Sequence, residues 1–150
     1  MNTHRTLRLG IALSASLVIA SGAGAADGAV EKVSVRAVAH FDFDRASIRP
    51  DDQAAILAEV GQMKGVTWQS VTAVGHTDSI GNPSYNARLS DKRAGAIKAY
   101  LVGKGLDASM IKAQGKAAVA PVADNASDNG RAKNRRTEIE FTGVRAAAPR

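Results

Sequence analysis

The sequence predicts an α/β two-layer sandwich, of the α+β kind, in which two helices cover one face of a mixed four-stranded sheet. Three observations predict this class. Short stretches alternate apolar and polar residues with the period of a strand, longer stretches repeat apolar residues at helical spacing, and turn-forming residues separate them. The predicted order is strand, helix, strand, helix, strand, strand. Because no helix is expected between the last two strands, they are expected to be antiparallel.

The first strand and the first helix are predicted within residues 33–65. Residues 33–43 alternate in the manner of a strand, and a loop follows. Pro50 suits the first turn of a helix because its missing N–H has no partner there, and the acidic Asp51 and Asp52 favour the positive end of the helix dipole. Gly65 is expected to end this helix.

The remaining elements follow from the same two periods. A second strand is predicted at residues 68–75, a turn-rich loop at 76–83 and a helix at 84–104 that Gly105 ends. A third strand at 111–115, a long loop at 117–134 and a fourth strand at 135–142 follow. In the fourth strand, Thr137, Ile139 and Phe141 are expected on the packed face.

The first 25 residues predict a secretory signal peptide. Arg5 and Arg8 give a basic start, residues 9–19 are apolar or small, and Ala-Gly-Ala at residues 23–25 resembles a cleavage site. The apolar stretch is shorter than the roughly 20 residues of a membrane-spanning helix, so export to the periplasm is expected. The rest is expected to form a short lead-in, one domain and a flexible tail, at residues 26–32, 33–142 and 143–150.

Composition narrows the function classes. The sequence holds no cysteine, which excludes disulfides, a thiol nucleophile, a cysteine-based metal site and a lipid-accepting cysteine. Cleavage after Ala25 leaves 18 basic residues against 14 acidic ones, a formal charge of +4. This excess weakly favours anionic partners, but nucleic acid is not expected as a partner of an exported chain. No stretch of the mature chain is expected to span a membrane.

Asp78 and Arg93 are the first candidate site residues. Asp78 follows a predicted strand and precedes a helix, a place where α/β sheets commonly bind ligands. Arg93 lies four residues from both Leu89 and Ile97, which belong to the apolar face of the predicted helix, so its guanidinium emerges beside that face and needs a partner. Asn86 lies on the same side of the helix as Arg93. The pair could bind the ammonium and carboxylate of an amino-acid-like ligand, or form an internal salt bridge. In the first case, Asp78→Ala and Arg93→Ala are expected to weaken binding without unfolding the chain.

Charged residues elsewhere add weaker candidates. Asp44 follows the first strand, and Arg135 shares the parity of the packed residues of the fourth strand. The nearby Arg131, Lys133 and Arg136 are predicted to be solvated members of a basic loop.

Four short motifs together resemble the OmpA-like C-terminal domain family. They are Phe-Asp-Phe-Asp at residues 41–44, Gly-His-Thr-Asp at 75–78, Asn-Ala-Arg-Leu-Ser with a following Arg-Ala at 86–94, and Asn-Arg-Arg at 134–136. Each is weak alone, whereas their order and spacing across residues 33–142 are specific. Peptidoglycan-associated lipoproteins and flagellar stator proteins carry similar domains.

The resemblance implies a βαβαββ fold that binds peptidoglycan through the meso-diaminopimelate of its stem peptide. On the family's pattern, Asp78 receives the ammonium of this ligand and Arg93 holds a carboxylate. Further contacts are implied from five residues around the same pocket: Asn86, Asp44, Arg135, Thr77 and Ile80. No cofactor is expected.

Two other functions remain open from the sequence. An enzyme could use His76 with Asp78, or paired carboxylates in the first loop, but no nucleophile, second histidine or zinc-ligand set completes such a site. His76 is instead expected to hydrogen-bond within its loop. A protein-interaction subunit with a secondary or lost wall site would fit a domain for which no tether is expected. The expected partners are peptidoglycan and an outer-membrane or other envelope protein.

Overall fold

The structure, a computed structural model, describes residues 28–148. The predicted signal peptide lies outside the described residues, as do residues 26–27 and 149–150. In chain order the described elements are β1 (Val30–His40), α1 (Pro50–Gln62), β2 (Thr67–Gly75), α2 (Pro83–Gly103), a 3-10 turn (Ala108–Met110), β3 (Ile111–Gly115), α3 (Asp128–Asn134) and β4 (Arg136–Ala146). Over this part of the chain, no helix combines the length and the hydropathy needed to cross a membrane.

The four strands form one mixed sheet in the order β1-β4-β2-β3. β4 lies between β1 and β2 and runs antiparallel to both, whereas β3 runs parallel to β2 at the far edge. A parallel pair needs a crossover connection, which α2 supplies. The predicted mixed sheet is confirmed. β4 runs opposite to β3, as expected for the last two strands, but the two are not neighbours because β2 lies between them.

The hydrophobic core lies between one face of the sheet and the two longer helices. α1 packs on β1, and α2 packs on β2 and β3. The alternation of each strand turns its apolar side chains toward these helices, where burial stabilises the fold. One cluster results, formed by Val33, Val35, Ala37, Ala39, Phe41, Ile56, Val71, Ala73, Ile97, Leu101, Ile111, Ile139 and Phe141. The predicted sandwich with α1 and α2 on one face is confirmed.

Gly75 sets how closely α2 approaches the end of β2. A Cβ at this position would collide with the main-chain carbonyl of Ser90 in α2. A glycine is therefore needed for the helix backbone to rest against the strand.

The predicted boundaries differ from the structure most at three places. Residues 117–134 were expected to be a loop, but the last seven form α3, whose N-cap Ser127 accepts the N–H of Gly130 with its Oγ. Residues 143–150 were expected to be a tail, but β4 continues to Ala146 and pairs with β1. β1 itself begins at Val30, inside the expected lead-in, because that pairing extends it.

One end of the sheet gathers the segments that carry the predicted site. His40 pairs with Arg136, while Gly75 pairs with both Thr137 and Gly115, so the strand ends are level. The loops after β1, β2 and β3 and the junction between α3 and β4 therefore lie at the same end.

Candidate functional site

Asp78 lies in the loop after β2, with only 4% of its surface exposed. Its Oδ1 accepts the backbone N–H of Ile80 at 3.0 Å, and its Oδ2 accepts from Nη1 of Arg135 at 3.2 Å. Thr77, also buried, donates its hydroxyl to the carbonyl of Asp78 at 2.9 Å. The carboxylate is therefore held in one orientation beside a compensating cation.

Arg135, between α3 and β4, is the cation that pairs with Asp78. Its Nε donates to the carbonyl of Phe41 at 3.0 Å, which fixes one edge of the guanidinium. The side chain is 15% exposed, against 5% for the side chain of Asp78. The internal salt bridge of Asp78 thus exists, but its partner is Arg135 and not Arg93.

Arg93 is fully buried in the middle of α2. Its Nε donates to the carbonyl of Arg45 at 2.9 Å, its Nη1 to that of His76 at 2.9 Å and its Nη2 to that of Asp42 at 3.2 Å. Its Cζ also lies 5.3 Å from the centroid of the Phe41 ring. The expectation that Arg93→Ala leaves the fold intact loses its basis, because the carbonyls of Arg45 and His76 would lose their donor and that of Asp42 would lose one of two.

The pKa of Arg93 reflects its burial and the charged groups around it. Burial lowers the pKa of Arg93 to about 10, while Asp78 and Asp44 raise this pKa and Arg135 lowers it. The guanidinium therefore keeps its charge at neutral pH. The four groups lie close enough to act on one another.

Three other predicted residues differ in their access to solvent. Asn86, in the first turn of α2, is buried; its Nδ2 donates to the carbonyl of Gly81 at 3.4 Å, whereas its Oδ1 makes no hydrogen bond with residues 28–148. Ile80 is 47% exposed on the loop after β2. Asp44 is exposed in the loop after β1, in the left-handed region at φ 56°. The seven predicted residues thus share one end of the sheet.

Two cations that were predicted to be solvated are bonded into the fold instead. Arg136 is buried and pairs with Glu138 at 2.9 Å. Arg131 donates to the carbonyl of Asn125 at 2.7 Å. Lys133 is exposed, as predicted.

Asn134 and Asn125, which sequence reasoning missed, organise the loop between β3 and α3. Asn134 is fully buried; its Oδ1 accepts from the N–H groups of Val122 and Ala123 at 2.8 and 3.0 Å. The Oδ1 of Asn125 accepts from Nδ2 of Asn134 at 2.9 Å and from the N–H of Ser79 at 3.2 Å. This loop is thereby tied to the loop that carries the buried carboxylate. The Asn-Arg-Arg motif was the available signal, but it gives no indication of these partners.

His76 is buried, with Nε2 3.6 Å from the carboxylate of Glu138. Neither ring nitrogen hydrogen-bonds with residues 28–148, so the predicted hydrogen bond within its loop is wrong. Burial lowers the pKa of His76; Arg136 and Lys116 add to this effect and Glu138 opposes it. The ring is therefore neutral at pH 7.

The arrangement suits the recognition of a small zwitterion. A carboxylate and a partly exposed guanidinium lie 3.2 Å apart where several loops meet. Both groups form directional, charge-assisted hydrogen bonds. Residues 28–148 contain no cluster of three or more His, Asp or Glu side chains that could hold a metal ion.

Residues 40–135 match the OmpA family. This chain belongs to the OmpA family. The matched region runs from the end of β1 to Arg135 and includes all seven predicted site residues.

Two curated OmpA-family relatives are similar to this chain over part of their length. Outer membrane protein A of Bordetella avium is 42% identical over 114 residues, which are 76% of this chain and 59% of that protein. Outer membrane porin F of Pseudomonas aeruginosa is 40% identical over 111 residues, which are 73% of this chain and 32% of that protein. The chain therefore spans less than two thirds of the length of each of these relatives.

Solved structures show the same OmpA-like fold. The peptidoglycan-associated lipoprotein of Burkholderia pseudomallei has a TM-score of 0.59 and 27% identity, with 70% of this chain and 89% of that one covered. The cell wall anchor of the T6SS of Pseudomonas aeruginosa has a TM-score of 0.53 and 33% identity, with 79% and 82% covered. The predicted family and fold class are confirmed.

Proposed function

We propose that this OmpA-family chain binds peptidoglycan non-covalently and links the cell wall to envelope components. The proposed ligand is the meso-diaminopimelate of the stem peptide, whose free end carries an ammonium and a carboxylate on one carbon. The observation that carries the proposal is the pair of Asp78 and Arg135, opposite charges 3.2 Å apart at the loop-lined end of the sheet. Family membership supports the class of ligand, since the similar solved structures include a peptidoglycan-associated lipoprotein and a cell wall anchor.

Two acceptors would receive the ligand ammonium. Asp78 supplies a carboxylate that already has its orientation fixed by the N–H of Ile80. Asn86 supplies a buried Oδ1 that no hydrogen bond from residues 28–148 occupies. A buried acceptor without a donor is destabilising, so a ligand N–H that reached it would gain binding energy.

We further propose that the chain acts in the periplasm, possessing no catalytic step of its own. The predicted signal peptide and the outer-membrane names of the relatives support this location. In support of binding without catalysis, the charged groups at the site bond to each other and to backbone carbonyls and not to a hydroxyl that could act as a nucleophile.

Sedimentation with purified diaminopimelate-type sacculi tests the proposal. The chain, purified from cells that export it, is expected to pellet with sacculi. Asp78→Asn is expected to weaken binding about tenfold or more, because charge-assisted hydrogen bonds contribute about 1.5–3 kcal/mol each. Asp51→Asn, an exposed change in α1 with the same charge difference, serves as the matched control and is expected to bind as wild type.

The outcomes separate the possible functions. If the wild-type chain stays in the supernatant although circular dichroism shows that it is folded, the proposal of wall binding is wrong. An envelope protein-interaction subunit is then the remaining function. Equal binding by Asp78→Asn would place the site elsewhere. Release of soluble wall fragments during the incubation would contradict the absence of catalysis.

A further inference from the structure

The two edge strands of the sheet, β1 and β3, differ in the length of their free edge. β3 is five residues long, and the N–H of Gly115 at its end donates to Oδ1 of Asp91 in α2 at 2.8 Å. β1 is 11 residues long and pairs with β4 in one continuous register. β1 therefore presents the longer and more regular edge.

The hydrogen bonds at the end of β1 show which of its backbone groups face outward. The N–H of Phe41 donates to the carbonyl of Arg135 at 2.9 Å, so the odd-numbered residues of β1 bond to β4. The N–H of His40 points the other way and donates to Oδ2 of Asp52 in α1 at 3.2 Å. The even-numbered residues before His40 therefore direct their N–H and C=O groups away from β4, where no acceptor in residues 28–148 bonds these N–H groups. They are Lys32, Ser34, Arg36 and Val38.

Two exposed cationic side chains lie along this free edge. Lys32 and Arg36 project from the face of the sheet that α1 and α2 leave open, because Val33 and Val35 belong to the core on the opposite face. Lys32 forms no ion pair with residues 28–148, and Arg36 pairs with Glu140 at 3.2 Å while 62% of its side chain stays exposed. The edge therefore carries positive charge at two positions that are four residues apart.

These two charges determine which kind of strand the edge can accept. Proteins protect long edge strands with proline, bulges or charged side chains, and β1 has neither proline nor a bulge. A second copy of the chain on this edge would bring Lys32 and Arg36 of both copies onto one face, and like charges across paired strands are destabilising. An acidic strand would instead place opposite charges there. The charges thus disfavour self-pairing and favour an acidic partner.

We infer that the outer edge of β1 binds an extended acidic segment of a partner protein, which adds to the sheet as a fifth strand. The inference goes beyond the proposed function, since it gives the surface and the chemistry of a protein partner. Main-chain hydrogen bonds along residues 32–38 supply affinity, and alternate side chains supply selectivity. The segment carries two acidic residues four positions apart, opposite Lys32 and Arg36. Apolar residues lie opposite Val33 and Val35, on the side of the sheet where α1 packs.

Fluorescence anisotropy with two labelled synthetic peptides tests the inference. The acidic peptide is acetyl-Thr-Glu-Val-Thr-Val-Glu-Val-amide, and the basic peptide has lysine in place of both glutamates. The wild-type chain, purified from cells that export it, is expected to bind the acidic peptide about fivefold or more tightly, because both charged positions change from attraction to repulsion. Lys32→Glu is expected to reduce this ratio to about twofold or less. Lys92→Glu, an exposed change in α2 with the same charge difference, is the matched control and is expected to keep the ratio.

Amide hydrogen exchange followed by NMR tests the position of the bound peptide. The N–H groups of Ser34, Arg36 and Val38 are expected to exchange about tenfold or more slowly when the acidic peptide saturates the chain. The N–H groups of Val33 and Val35 already bond to β4 and are expected to keep their rates. This alternation distinguishes strand addition from binding on the open face of the sheet or at another site.

The outcomes separate this inference from the proposed function. Equal binding of the two peptides, no binding of the acidic one, or unchanged exchange at the even-numbered residues would each overturn the inference. Protection of those residues in the free chain that grows with protein concentration would assign the edge to a second copy and overturn it as well. Lys32 lies about 26 Å along β1 from His40, the end of the strand near Asp78 and Arg135, so Lys32→Glu is expected to pellet with sacculi as wild type does. Failure with the peptides therefore leaves wall binding intact, and failure with sacculi leaves the strand addition intact.

Discussion

The guanidinium of Arg93 lies over the ring of Phe41, with 5.3 Å between Cζ and the ring centroid. The same guanidinium bonds to carbonyls of the loop after β1 and of the loop after β2. One side chain of α2 therefore ties together two loops of the site from inside the protein.

Arg93→Ala is expected to lower the free energy of unfolding by about 3 kcal/mol or more, because three carbonyls lose a hydrogen bond and a buried volume is emptied. Urea denaturation followed by circular dichroism measures this change. Arg88→Ala, in the same helix but exposed, is the matched control and is expected to change the free energy by about 0.5 kcal/mol or less. Equal effects of the two substitutions would contradict the role of Arg93 as an internal tie.

Asn134→Ala is expected to cost about 2–4 kcal/mol of stability and to loosen the loop before α3, since a fully buried side chain with several hydrogen bonds is lost. Limited proteolysis is expected to cut within residues 117–127 earlier than in wild type. Asn129→Ala, an exposed change in the same short helix, should leave both stability and the cleavage pattern unchanged. Unaltered cleavage in Asn134→Ala would show that this loop is ordered by other contacts.

Gly75→Ala and Gly95→Ala are expected to change the stability of the fold in opposite directions. At Gly75 a methyl group collides with the Ser90 carbonyl, so the variant should lose about 1–3 kcal/mol through overpacking. At Gly95, within α2, a methyl group meets nothing within 4 Å, so alanine should gain about 0.5–1 kcal/mol from its better helix propensity. Thermal melts of the two variants compare them directly, and a stabilised Gly75→Ala would refute the close approach of α2.

Stability is expected to fall as the pH drops below 6.5. Burial lowers the pKa of both His40 and His76 from the ordinary 6.5, so both rings are neutral in the folded chain while they protonate in the unfolded chain. Around His76, Arg136 and Lys116 add to the lowering and Glu138 opposes it; around His40, Asp52 opposes it, and Arg49 and Arg136 add to it. Well above pH 6.5 both imidazoles are neutral in the folded and in the unfolded chain, so their contribution to the free energy of unfolding is fully present. Below pH 6.5 protons bind preferentially to the unfolded chain, which lowers the free energy of unfolding.

Urea titrations at pH 7.5, 6.5 and 5.5 measure this dependence. The double variant His40→Gln with His76→Gln is expected to show a smaller loss between pH 6.5 and 5.5 than wild type, whatever its absolute stability. The same pH slope in both proteins would assign the loss to carboxylates instead.

The regular elements of this fold could be predicted because the repeat of apolar residues in each strand or helix is visible within a short stretch of sequence. Residues 111–115 were predicted as a strand, and β3 has those bounds. α3 was missed because its sequence repeats no apolar residue; it depends on the Ser127 cap and on the burial of Asn134 against the loop that precedes the helix. The end of β4 was missed because Gly143 and Arg145 have no strand signal, and it is the ladder with β1 that extends them.

Helical spacing correctly predicted the face of α2 on which Arg93 lies, but it did not predict the hydrogen-bond acceptors of the guanidinium. Spacing along a helix gives no information about backbone carbonyls from two other loops, and those are its acceptors. The pairing of Asp78 with Arg135 joins residues 57 positions apart in the sequence, a distance at which local patterns carry no information.

The position of β4 in the sheet has a consequence for how the chain is made. The strand that separates β1 from β2 is the last one synthesised, and the hydroxyl of Ser34 on β1 meets the carboxylate of Glu140 across 106 residues. Until residues 136–146 are available, β1 lacks the strand with which it pairs, and closing so long a loop is slow. The chain therefore stays open, with the apolar face of β1 accessible to chaperones, until β4 is available to pair with it.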